Sequence, residues 1–245
     1  MVITGIVAGI VAVFMTLPIT GYIDSVRRAG MTDIADLALR RMGYELRRAV
    51  PNSVRVPGES STDEIEFVPA KDGGRYRLLG PGRVLDGTET GSFEFDVLGR
   101  EVEGDEDDFV VIFNTGQDGL DLYLPGLDNR RRLSAAAGST VSYTGNGAAF
   151  PTYHSPTQRF QIVPKEGPVR YRCSGGNLVR ETRYDASFVA GAPPIQTATL
   201  ASGVSCLFEY KPVNATNGLV TIRLTVTREG ESVTLVHQIH VDNTP

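Results

Sequence analysis

The chain has 245 residues, 41% of them hydrophobic and 22% charged, with a formal net charge of −5. That length allows one large domain or two small ones, and the composition excludes a fibrous repeat, a wholly disordered chain and a polytopic membrane protein. A negative net charge gives no bulk basic field for nucleic acid, and two cysteines build neither a cysteine-only zinc site nor a disulfide-rich miniprotein.

Val2 to Ile23 carries no charge. As a helix at ~1.5 Å per residue it would reach about 33 Å, a bilayer's width. Thr4, Gly5, Gly9, Thr16, Pro18, Thr20 and Gly21 interrupt its apolar character, and Gly5 and Pro18 are the expected places for a kink or local unwinding. A signal peptide is a poor fit, because no basic region precedes the run and the helical pattern continues past it.

From Asp24 to Ala49, Met31, Ile34, Ala35, Ala38, Leu39, Met42, Leu46 and Ala49 fall in one sector at ~100° per residue. Asp33, Asp36, Arg40, Arg41, Arg47 and Arg48 fall opposite, and Pro51 ends the helix. The expected helix is about 70 Å long, one half suited to lipid (1–23) and the other to a protein core (24–50). Met31, Ile34, Ala38, Met42 and Leu46 are the expected packing residues. Val26, Leu37 and Tyr44 sit on the polar side; they are either scattered surface hydrophobes or a contact for a neighbouring subunit.

Beyond Pro51 the period changes from 3.6 to 2, and residues 51–245 read as a β-rich head. Glu64–Val68, Ser92–Val97 and Gln161–Val163 alternate, and Phe109–Phe113 reads as a buried strand. Tyr76–Leu79, Leu122–Leu124, Val141–Tyr143 and Val169–Cys173 are further strand candidates. Gly73–Gly74 and Gly175–Gly176 read as turns. Leu219–Thr227 and Ser232–Val241, around Arg-Glu-Gly-Glu, form the clearest hairpin. The expected class is α+β, with one long N-terminal helix packed on a mostly antiparallel β head.

Few residues suggest chemistry. His237 and His240 are three apart, on opposite faces of a strand, and cannot readily share a metal. Asp105-Glu106-Asp107-Asp108, with Asp118 and Asp121, could attract calcium but lacks the alternating Asp pattern of a calcium loop. Arg130-Arg131-Arg132 lacks interleaved aromatics for nucleic acid. No nucleophile-elbow, zincin, dinucleotide or phosphate-loop pattern occurs, so neither enzyme activity nor a cofactor is expected.

Val-Ile-Thr-Gly-Ile-Val-Ala (2–8) resembles the interior of a type IV pilin N-terminal helix. Gly-Tyr-Ile-Asp-Ser-Val-Arg-Arg-Ala (21–29), Thr-Asp-Ile-Ala-Asp-Leu-Ala-Leu-Arg-Arg-Met (32–42), Pro-Asn-Ser-Val-Arg-Val (51–56) and Val-His-Gln-Ile-His-Val-Asp-Asn-Thr-Pro (236–245) resemble MshO-like minor pilins of mannose-sensitive haemagglutinin pili. The family's basic leader, cleavage site and conserved glutamate have no counterpart here. Arg27 and Arg28 would also hold the wrong side of a span in the cytoplasm. Both features lead us to expect coding sequence upstream of Met1.

The resemblance implies a minor pilin that starts pilus assembly or sits at the tip, with other minor and major pilins and an assembly platform as partners. It also implies a Gram-negative inner membrane, crossed once, with a periplasmic head that later joins the fibre. A type II secretion pseudopilin, suggested by Val169, Tyr171, Leu178 and Arg180, and a tip adhesin are the alternatives. In an exported head Cys173 and Cys206 would form a disulfide; otherwise they are two buried thiols.

Overall fold

The computed structural model describes residues 2–57, 61–85, 93–117, 119–124, 129–144, 150, 153–183 and 194–245. In chain order the elements are α1 (Val2–Leu46), β1 (Ser61–Thr62), β2 (Glu64–Phe67), β3 (Asp72–Tyr76), β4 (Glu94–Leu98) and β5 (Val102–Gly104). There follow β6 (Phe109–Ile112), β7 (Arg130–Gly138), β8 (Thr140–Tyr143), β9 (Arg159–Val163) and β10 (Val169–Ser174). The last five are β11 (Asn177–Arg183), β12 (Pro194–Ser202), β13 (Val204–Asn214), β14 (Asn217–Arg228) and β15 (Glu231–Asp242). Every strand pairing is antiparallel.

Two four-stranded sheets, ordered β1-β13-β14-β15 and β12-β11-β10-β2, share one core with the C-terminal half of α1. Met31, Ala35, Ala38, Leu39, Met42 and Leu46 recur at helical spacing and are buried against Phe208, Ile222, Leu224 and Ile239. Each large side chain so buried contributes about 1.5–3 kcal/mol. The helix closes with Arg47 N–H donating to Gly43 O; Ala49 then bridges Pro69 and Val50 N–H donates to Val68 O at 2.8 Å, ahead of Pro51.

The seven-stranded sheet, β5-β7-β6-β9-β3-β4-β8, is barrel-like because β7 also pairs with β8. The first part of β7 pairs with β6 and the second with β8, which closes a ring of six strands and leaves β5 outside on β7. Tyr76, Phe95, Val110, Ile112, Leu133, Val141, Tyr143 and Phe160 fill it, with Phe95 and Phe160 edge to face at 5.1 Å. β6 is buried on both faces, Val110 and Ile112 inward and Phe109 and Val111 against Val50, Val68 and Leu122, so it reads as a continuous apolar run.

The expected class requires correction. The molecule is mostly β, with fifteen strands and one helix among the described residues, and it includes a barrel-like sheet. It is not the expected α+β arrangement of one long helix packed on a single β head. The barrel core contains no helical residue. The error arose because a 50-residue helical pattern dominates the sequence, whereas barrel closure depends on pairings such as Val110↔Ile162 between distant segments.

The single-pass inner-membrane location is also corrected. Among the described residues no helix is long and apolar enough to cross a membrane. The glycines, threonines and proline spread through 4–21 dilute the apolar run, and Asp24, Arg27 and Arg28 follow directly.

Local expectations changed too. Gly73 and Gly74 lie inside β3, not in a turn: a Cβ at Gly73 would come within 2.7 Å of Phe160 O, so glycine permits the β3–β9 approach. Leu122–Leu124 forms turns instead of a strand, and only Tyr76 of Tyr76–Leu79 is in a strand. α1 is assigned as one helix from Val2 to Leu46, a span that includes Gly5 and Pro18.

Candidate functional site

The two faces of α1 differ sharply. Behind the buried sector lie Tyr22, Val26, Leu37 and Tyr44, which are 71%, 53%, 72% and 60% exposed. Their spacings of 4, 11 and 7 residues place all four within an arc of about 60° at ~100° per residue, opposite Met31, Ala38 and Met42. Asp33 and the Asp36–Arg40 ion pair, at 2.6 Å, interleave them. Val2, Ile3, Ile6, Val7 and Ile23 are also exposed.

Fixed contacts hold this helix to the sheets. Arg27 pairs with Glu229 at 3.0 Å and Arg28 with Glu231 at 3.3 Å, at the β14–β15 turn. Arg180 on β11 donates to Glu45 at 2.9 Å. Burial, together with the neighbouring Glu45 charge, pushes the Tyr171 hydroxyl well above its ordinary range. Gly43 sits directly over His237: a Cβ there would lie 3.1 Å from the imidazole Nε2. Hydrophobic pattern alone did not reveal Gly43, which lets the helix settle on β15.

The packing residues Met31, Ala38, Met42 and Leu46 are buried, and Ile34 is half-buried against the same core. Val26, Leu37 and Tyr44 are exposed, although Tyr44 is held in place: Arg48 stacks over its ring at 5.5 Å and donates to its hydroxyl at 2.6 Å. Cys173 on β10 and Cys206 on β13 form a disulfide that joins the two four-stranded sheets.

The acidic loop and the arginine run are engaged structurally. Lys71 bridges Asp105 and Asp108, and Arg132 pairs with Asp107 at 2.9 Å, so the acidic loop is bound by cations of the protein itself. Asp118 lies outside the described residues. Arg130 and Arg132 lie over the Phe109 ring and Arg131 over Phe150. His237 faces α1 while His240 is exposed, and His154 sits beside Tyr76. Among the described residues no three His, Cys, Asp or Glu side chains group as metal ligands.

Compared with known proteins, the chain matches no family model, no curated protein and no solved structure.

Proposed function

We propose that the protein is a structural subunit of a filament, a minor pilin of an MSHA-like type IV pilus that acts at assembly initiation or at the tip. The observation that carries this reading is the unoccupied face of α1. The helix is buried on its inner sector from Met31 to Leu46 and presents Leu37 and Tyr44 on the opposite side, in line with exposed Tyr22 and Val26 and with further exposed apolar residues toward its N-terminus. Apolar side chains aligned on one helical face form a seam onto which another helix can pack. The resemblance of 2–8, 21–29 and 32–42 to minor pilins assigns that second helix to another pilin. On this reading the chain acts through surfaces, with other minor and major pilins and the assembly platform as partners.

Site-directed cross-linking in the producing cell tests it. Cysteine introduced at Leu37 should form a disulfide-linked product with a pilin carrying a matched helix cysteine, and Leu37→Asp with Tyr44→Asp should lower pilus number. Normal piliation by the double variant, or a Leu37→Cys chain that links to no pilin, would sink the proposal.

A further inference from the structure

A cleft of about 510 Å³ opens where the end of α1, β3, β9 and the segment after β15 meet. Six basic side chains line it against two carboxylates, on a protein whose net charge is −5. A smaller cleft of about 360 Å³ adjoins it and shares Arg75 and Arg159.

Among the described residues, part of this basic charge has a weak acidic partner or none. Arg75 on β3 is the direct cross-strand partner of Arg159 on β9, and both are exposed. Directly opposed residues bring their Cβ atoms to about 5 Å, and like charges so placed repel. Among the described residues Arg75 donates only to the Thr157 carbonyl, at 3.2 Å. Arg159 reaches Asp242 no closer than 3.8 Å, with both groups about half exposed. Arg47 has no side-chain partner among the described residues, and Arg48 is spanned between Tyr44 and the Lys71 carbonyl. Lys71 and Arg100, by contrast, are neutralised by Asp108 and Asp72.

Gly73 and Gly74 line it without side chains, and Phe160, the one aromatic among the described lining residues, is buried in the barrel. Among the described residues the cleft therefore offers no ring face on which a base or a sugar could stack. Its recognition chemistry is that of guanidinium forks, which pair bidentately with planar carboxylates and with phosphates.

From this geometry we infer that the cleft binds a small polyanion carrying carboxylate or phosphate groups, held between Arg75 and Arg159 with Arg47 at the rim. The ligand relieves the Arg75–Arg159 repulsion that the strand register imposes. This site is separate from the exposed face of α1 and does not depend on the pilin reading.

Calorimetric titration of the full chain in a mild non-ionic detergent tests the inference. Sodium citrate and sodium pyrophosphate are the two probes, each against sodium chloride at matched ionic strength. Saturable binding of citrate, pyrophosphate or both is expected, and the responding probe assigns the carboxylate or the phosphate class. Arg75→Gln and Arg159→Gln should each weaken it at least tenfold, and Arg223→Gln, on the exposed face of β14, should leave it unchanged. Both cleft variants should unfold at or above the wild-type midpoint, since each removes one of two opposed charges. Neither probe giving saturable heat beyond chloride, or equal binding by wild type and both cleft variants, would overturn the inference.

Discussion

Asn52 and Asn243 are joined twice: the Asn52 backbone N–H donates to Asn243 Oδ1 at 3.2 Å, and Asn52 Nδ2 donates to the Asn243 carbonyl at 3.0 Å. Asn52 Nδ2 also reaches the Asn114 carbonyl at 2.9 Å, while Asn114 Nδ2 donates to the Pro51 carbonyl. The turn after α1, the segment after β6 and the segment after β15 are thereby tied at one point. Asn52 holds φ at 58°, a left-handed conformation that asparagine tolerates better than most residues.

Asn52→Ala should therefore destabilise the fold by about 2–3 kcal/mol, from lost hydrogen bonds and from strain at positive φ. Asn52→Gly keeps the permitted φ and should cost less, about 1–2 kcal/mol. Urea unfolding midpoints of the two variants check the order; equal losses would show that backbone conformation plays no part.

The Cys173–Cys206 bond closes a loop with a sequence separation of 33 and ties β10 to β13. Loop-closure entropy gives it about 3–4 kcal/mol. Reduction, or a double change to serine, should lower the denaturation free energy by that order while the two sheets remain folded. Peptide mapping without reductant should recover the linked pair, and equilibrium unfolding with and without reductant measures the loss.

Glu181 sets an acid-sensitive contact. Burial alone would raise its pKa, but the hydrogen bonds and charges of Arg170 and Arg172 outweigh burial and hold it below its ordinary 4.5. Its carboxylate accepts from Arg170 at 2.5 Å and from Arg172 at 2.9 Å. A depressed folded pKa contributes stability that is full above the unfolded value, and this is lost as pH falls from about 4.5 through the folded value. Glu181→Gln should be less stable than wild type at pH 7, by about 3 kcal/mol, because it leaves the largely buried Arg170 without the Glu181 carboxylate. It should then lose less on going to pH 3. Parallel acid limbs for the two proteins would show that Glu181 does not govern this step.

Local periodicity carried part of this fold and long-range pairing the rest. The Met31–Leu46 stripe and the β14–β15 hairpin are readable because each repeats a short period or brackets a Glu-Gly turn. Gly73–Gly74 misled because a glycine pair signals a turn, yet here Gly73 makes room for the Phe160 carbonyl of a strand far along the chain. The Arg75–Arg159 opposition was hidden for the same reason: only the β3–β9 register brings the two together. Exposure of Leu37 and Tyr44 agrees with their place opposite the core stripe, but periodicity could not distinguish a contact seam from scattered surface residues.

The two faces of α1 should respond oppositely to the same chemical change. Met42 is fully buried among Phe208, Ile222 and Leu224 of the shared core, so Met42→Asp places an unpaired carboxylate in apolar surroundings. The cost should be about 4 kcal/mol or more, enough to unfold the helix-bearing part of the molecule. Leu37 is 72% exposed, and Leu37→Asp should change the unfolding free energy by no more than about 0.5 kcal/mol. Circular dichroism and urea titration of the two variants measure this directly. On the proposed filament reading, association with a pilin, read by analytical ultracentrifugation of the full chain in mild detergent, should show the reverse order. Leu37→Asp should lose the complex while remaining folded, and Met42→Leu, which keeps the core packed, should retain it. A folded Leu37→Asp protein that still associates at wild-type affinity would remove the exposed stripe from the interface.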